Sequence, residues 1–181
     1  MGSKRIGDMD VKEFGRLSAV EQRQVLKDPE CPVDIIRAGS MDQSVWVRVV
    51  AMGNPSAPED VIRRGAADES VGVRRTVVSL PEAPEDVIRR GASDRNDFVR
   101  IAAVRNPSAP EDVIRRGARD TSWEVQMATA TEARLPEDVA EELSLSTEVE
   151  IQEALAGNPT VPERIRVVAR MKVESGRRGP G

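Results

Sequence analysis

The stretch Asn54-Pro55-Ser56-Ala57-Pro58-Glu59-Asp60-Val61-Ile62-Arg63-Arg64-Gly65, followed by Asp68 and then Val73-Arg74-Arg75, decides the fold because the chain keeps rewriting it. The block Ala-Pro-Glu-Asp-Val-Ile-Arg-Arg-Gly-Ala begins verbatim at Ala57, Ala83 and Ala109, and weaker copies begin at Cys31, Leu135 and Val161. Prolines stand every 26 residues at Pro32, Pro58, Pro84, Pro110, Pro136 and Pro162; a second series, Pro29, Pro55, Pro81, Pro107 and Pro159, misses only at Ala133. A fixed period of this length marks a repeat architecture.

Each copy reads as two helices. Pro58 suits the first helical position, where its missing N–H is no loss, and Glu59 and Asp60 lie in the first turn, where the helix dipole favours anions. Gly65 suits a left-handed position just past the end, which makes this a helix of about two turns, with 3-10 character open. Asp42, Asp68, Asp94, Asp120 and Ser146 are read as N-caps of a second, longer helix. That helix ends before the Asn-Pro pairs at Asn54, Asn106 and Asn158, because a residue preceding proline is pushed out of the α region. No useful stretch alternates with period two, so no strands are expected.

Comparing copies within the one chain separates core from surface. One position of the longer helix reads Val47, Val73, Val99, Val125, Ile151; three later it reads Val50, Thr76, Ala102, Ala128, Ala154; four later, Ala51, Val77, Ala103, Thr129, Leu155. These rows are read as the buried stripe. A two-helix unit cannot bury its own apolar face, so the copies must stack. The expectation is an all-α solenoid of about five to six copies over residues 17–172. Residues 1–16 precede it as a partly flexible segment, Leu17 to Pro29 form a half-repeat cap, and residues 173–181 are a disordered tail.

The pattern Asn-Pro-x-x-Pro-Glu-Asp-Val-Ile, then Asp, then Val-Arg-Arg, resembles the variant leucine-rich repeat family of bacteria. The resemblance covers most of the chain and implies a right-handed superhelix of alternating α- and 3-10 helices, with at most an interaction role. Two departures stand out. Nothing before Cys31 could supply the N-terminal iron–sulfur cysteine cluster of some members. Where related repeats place threonine before the proline, this chain has Cys31, Ala57, Ala83, Ala109, Leu135 and Val161.

The residue inventory narrows the chemistry. With no His and no Tyr, a single Cys, and only Phe14, Trp46, Phe98 and Trp123 as aromatics, there is no imidazole base, no Ser-His or Cys-His pair and no histidine metal ligand. No catalytic, metal or cofactor residue is expected. No run approaches the roughly 18 to 20 apolar residues of a membrane span, and the N-terminus lacks a signal-peptide core, so the chain is read as cytoplasmic. The acids of the shorter helix are expected to pair four residues on, Glu59 with Arg63 and Asp60 with Arg64.

Two surface features remain. Beside the buried valines run Trp46, Gly72, Phe98, Glu124, Glu150 and, three later, Val49, Arg75, Ile101, Met127, Glu153, flanked by the arginine row Arg48, Arg74, Arg100 that gives way to Gln126 and Gln152. These arginines have two readings: they pair with acids of a neighbouring copy, or with Trp46, Val49, Arg75, Phe98 and Ile101 they form a binding groove. Charge is also uneven: residues 121–163 carry one basic residue, Arg134, against ten acidic, a net of −9. That end reads either as a solvated face or as a surface for a basic partner or for self-association. The leading expectation is a non-enzymatic scaffold for a protein or peptide; the alternative is nucleic-acid binding along the arginine row, which the net charge of −4 disfavours.

Overall fold

The structure, a computed structural model, describes residues 6–178. Among these there are helices and turns but no strand. Two compact units divide after Gly91. The first holds a 3-10 turn (Ile6–Asp8) and α1 (Val11–Phe14), α2 (Ala19–Leu26), α3 (Val33–Gly39), α4 (Val45–Met52), α5 (Glu59–Gly65), α6 (Val71–Val78) and α7 (Glu85–Gly91). The second holds α8 (Asp97–Arg105), α9 (Glu111–Ala118), α10 (Trp123–Ala130), α11 (Glu137–Ser144), α12 (Val149–Gly157) and α13 (Glu163–Arg178). Within each unit consecutive helices pack on one another, as in a helical repeat: α4 touches α2, α3, α5 and α6, and α10 touches α8, α9, α11 and α12. No helix among the described residues is long and apolar enough to cross a membrane.

Local structure follows the repeat, with shifts that have physical reasons. Pro58, Pro110 and Pro136 have extended ψ and stand one place before the helix, as N-caps. Their carbonyls accept the first helical amides, such as Val61 N–H to Pro58 O at 2.9 Å. The helices expected to open at Asp42, Asp68, Asp94, Asp120 and Ser146 open three residues later. Each Asp instead folds a turn ahead of the helix by accepting an amide two residues on, as Asp68 Oδ1 does from Ser70 at 2.8 Å and Asp120 Oδ1 from Ser122 at 2.9 Å. This leaves the other carboxylate oxygen free for another partner. The preceding helices are α-helical rather than 3-10, and at seven or eight residues nearly match the eight or nine of their partners.

Gly65 and Gly117 also differ from expectation. They lie inside their helices with no positive φ, and what they provide is closeness. A Cβ on Gly65 would stand 2.6 Å from Val77 Cγ1 and one on Gly117 2.7 Å from Val104 Cγ2. Leu143, at the same register in α11, is accommodated where the facing row has shrunk from Val104 to Ala130. Gly117→Ala is therefore expected to destabilise by about 1–3 kcal/mol through overpacking. Urea unfolding gives the sign, since helix propensity alone would stabilise by about 1 kcal/mol.

The core is turned relative to the expected stripe. The rows of Val47 and Ala51 are fully buried in every copy, but Val50, Thr76, Ala102 and Ala154 are half-exposed and only Ala128 is buried. The next row, Met52, Val78, Val104 and Ala130, is inside, together with Arg48 and Arg74. A helix with neighbours on both flanks buries a wider arc than one packed against a single surface.

The ends are helical too. In the expected flexible segment, α1 carries an Asp10/Glu13 capping box and buries Phe14, and in the expected half-repeat α2 carries a Ser18/Glu21 capping box. At the other end α13 runs to Arg178, past the expected limit of 172, and buries Ile165, Ala169 and Val173. Residues 1–5 and 179–181 of the expected flexible segment and disordered tail lie outside the described residues.

Candidate functional site

The arginine row is part of the frame. Arg48 grips Asp68 with two bonds, Nε to Oδ2 at 2.8 Å and Nη2 to Oδ1 at 3.0 Å, while Nη1 donates to the Asp42 and Gln43 carbonyls at 2.9 and 3.2 Å. Arg100 repeats the arrangement on Asp120 at 2.7 and 2.8 Å and on the Asp94 carbonyl at 2.9 Å. Arg74 donates to the Asp68 and Glu69 carbonyls, both at 2.9 Å, so Arg48 and Arg74 meet at Asp68. A planar guanidinium can grip a carboxylate with two bonds while a third N–H meets a turn carbonyl, a fork that lysine's ammonium does not provide. Of the two readings of this row, pairing with the neighbouring copy is present for Arg48 and Arg100, and Arg48 and Arg74 are buried while Arg100 is part-buried.

These pairs set the ionisation of the acids. Burial alone would raise the Asp68 and Asp120 carboxyls, but the bonds from Arg48 and Arg100 and from the Ser70 and Ser122 amides outweigh it and hold both below the usual carboxylate value. The partner acid lies 20 residues along the chain from its arginine, beyond the range in which a sequence reading looks for helical pairs.

A second, exposed ladder runs along the other helices. Arg37 bonds Asp60, Arg63 bonds Asp86 and Arg115 bonds Asp138, each 23 residues on. At the last step the charges exchange places: Glu141 stands in the arginine position and Arg164 in the aspartate position, and they pair at 2.6 Å. Glu59 does pair with Arg63, at 2.7 Å. Asp60 does not pair with Arg64, because Arg37 holds it; Arg64 donates to Ser40 Oγ at 3.3 Å.

The Asn-Pro pairs do more than stop helices: Asn54, Asn106 and Asn158 are buried, and Asn54 and Asn158 are polar staples. Asn54 Nδ2 donates to the Leu26 and Asp28 carbonyls at 2.8 and 2.9 Å, and Asn158 Nδ2 to those of Ala130 and Glu132, both at 2.9 Å. The signal was their recurrence every 52 residues, in alternate copies. In the intervening copy Arg134 does related work, donating to the Asn106 and Ala109 carbonyls. Cys31 is buried in the row of Ala57, Ala83 and Ala109, and its thiol is pushed up to about 11 by burial and by Asp28, which leaves it protonated and unreactive near neutrality.

The other groove residues stay outside. Trp46 is 65% exposed in the first unit, at the register position of the equally open Val20 on α2, and Arg75 is exposed. In the second unit Phe98 is 59% exposed and Ile101 half-buried, as Val49 is in the first. Arg48 and Arg100 are thus paired and Asn54 and Asn158 buried, while Trp46 and Phe98, in a row whose residue type changes from copy to copy, face solvent. Compared with family models, curated proteins and solved structures, the chain finds no match.

Proposed function

We propose that this chain is a non-enzymatic helical-repeat scaffold, a solenoid of five to six copies of the variant leucine-rich repeat type, that works in the bacterial cytoplasm by binding a protein or peptide. The observation that carries the reading is the division of labour just described. Arg48, Arg100, Asn54 and Asn158 hold the frame, whereas the variable outer row carries Trp46 and Phe98 with most of their rings in water. Large exposed rings at positions the fold does not use are typical binding hot spots. The absence of His and Tyr from the sequence supports a role without acid–base chemistry.

Photo-crosslinking in the native host tests it, with benzoylphenylalanine placed at Trp46, at Phe98 and, as a control, at Arg63. Defined protein adducts from the first two positions and none from the third are expected. Trp46→Ala with Phe98→Ala should leave the melting temperature within a few degrees and remove binding of the protein so identified. Adducts that vanish with nuclease would instead support the nucleic-acid reading, and equal adducts from all three positions would overturn the surface assignment.

A further inference from the structure

Three crevices in the second unit occupy one register position in successive copies. The first, bounded by Arg100, Arg116, Arg119 and Asp120, has a volume of 250 Å³. The second, bounded by Trp123, Gln126, Glu142, Leu145, Ser146 and Glu148, has 510 Å³, and so does the third, bounded by Val149, Gln152, Val168, Met171 and Lys172. Side-chain length explains the doubling. Arg100 spans the first crevice to reach Asp120. In the second, those two positions are Gln126 and Ser146, and Gln126 keeps only the carbonyl bond, to Asp120 O at 2.6 Å. In the third, Gln152 Nε2 still donates to the Ser144 and Ser146 carbonyls, but its buried Oε1 has no partner.

We propose that the second crevice receives the guanidinium of an arginine from a partner's basic segment, and that the adjoining third crevice receives an apolar side chain of the same segment. The slot is one that the preceding copy fills with a guanidinium of its own. Its wall is Trp123, 39% exposed, in a row that otherwise holds Val45, Val71, Asp97 and Val149; tryptophan is the side chain that attracts a cation best. Glu148 lines the slot without an ion pair among the described residues, and Glu142, which already holds Arg119, lies beside it. The surrounding residues 121–163 contain no base but Arg134, and that guanidinium is turned onto backbone carbonyls. Arginines flanking that segment already hold Glu137, Asp138, Glu141, Glu142, Glu153 and Glu163, so the acid left to meet a cation from outside at the slot is Glu148. The third crevice is walled by Val149, Val168 and Met171, whose side chains suit an apolar partner residue. Stacked helices lie about 8–10 Å apart, roughly three residues of extended chain, so the segment reads Arg-x-x-apolar.

The inference rests on the scaffold reading only in taking a protein segment as occupant. Its probe is the blocked hexapeptide Gly-Arg-Gly-Gly-Leu-Gly, with citrulline-for-arginine and glycine-for-leucine versions. The readout is the two indole N–H signals in a nitrogen–proton spectrum, assigned with Trp46→Phe. The Trp123 signal should shift saturably while that of Trp46 stays, and the citrulline and glycine peptides should each bind about tenfold more weakly. The variant Gln126→Arg/Ser146→Asp, which rebuilds the clamp of the preceding copy, should keep the fold, shown by a retained melting temperature, and lose the peptide. No Trp123 shift at millimolar arginine peptide, equal binding of the citrulline peptide, or undiminished binding by the rebuilt variant overturns the proposal. Because crosslinks at Trp46 and Phe98 are read separately, failure here is distinct from failure of the scaffold reading.

Discussion

Val99→Asp is expected to unfold the second unit or bring it close to unfolding. Val99 lies on α8 with no measurable exposure, and α8 is packed against α9 and α10. A carboxylate there would have no partner, and an uncompensated charge in the interior costs about 3–5 kcal/mol. Whole domains are stable by only about 5–15 kcal/mol. Urea unfolding followed by circular dichroism should show the loss directly. Melting within a few degrees of wild type would mean that the phase of this helix is wrong, and with it every assignment of inward and outward rows.

Arg100→Gln is the second large effect, and it reverses what a solvated arginine would do. Glutamine can keep the carbonyl half of the interaction, as Gln126 does on Asp120 O. It abandons Asp120, whose side chain is only 8% exposed. Losing one partner of a buried pair costs about 3–5 kcal/mol, most of it from the stranded charge. Adding Asp120→Ser recreates the Gln126/Ser146 combination of the next copy and should restore most of the loss. An exposed pair, by comparison, contributes about 0–1 kcal/mol. Arg115→Gln on the outer ladder should accordingly be nearly silent in the same unfolding measurement.

Repeat, helical class and two of the buried rows, those of Val47 and Ala51, could be read from the sequence because each is written several times in one register. Val47, Val73, Val99, Val125 and Ile151 identify themselves by agreement between copies. What could not be read depended on distances that periodicity does not carry. Asp120 recurs as faithfully as any cap, yet its second oxygen serves Arg100, 20 residues earlier in the chain, and only packed copies bring the two together. Gly117 recurs equally well, but recurrence cannot tell a positive φ from a close approach; Val104 beneath it decides that. The outer residues Trp46 and Phe98 were found by the opposite signal, disagreement between copies. Arg48 and Arg74 lie beside that variable row but are buried, which comparison between copies does not register.

The central claim, that the arginine row binds copy to copy, is tested most directly by a double-mutant cycle on Arg100→Gln and Asp120→Asn, with unfolding free energies measured at neutral and at acid pH. Because the Asp120 carboxyl is held below its ordinary value, the pair's contribution is complete above the unfolded value of about 3.9 and fades as pH falls through the lower folded one. The account predicts a coupling of about 1.5–3 kcal/mol at neutral pH that shrinks below about pH 4. Two single losses that simply add, within about 0.5 kcal/mol at both pH values, would contradict it.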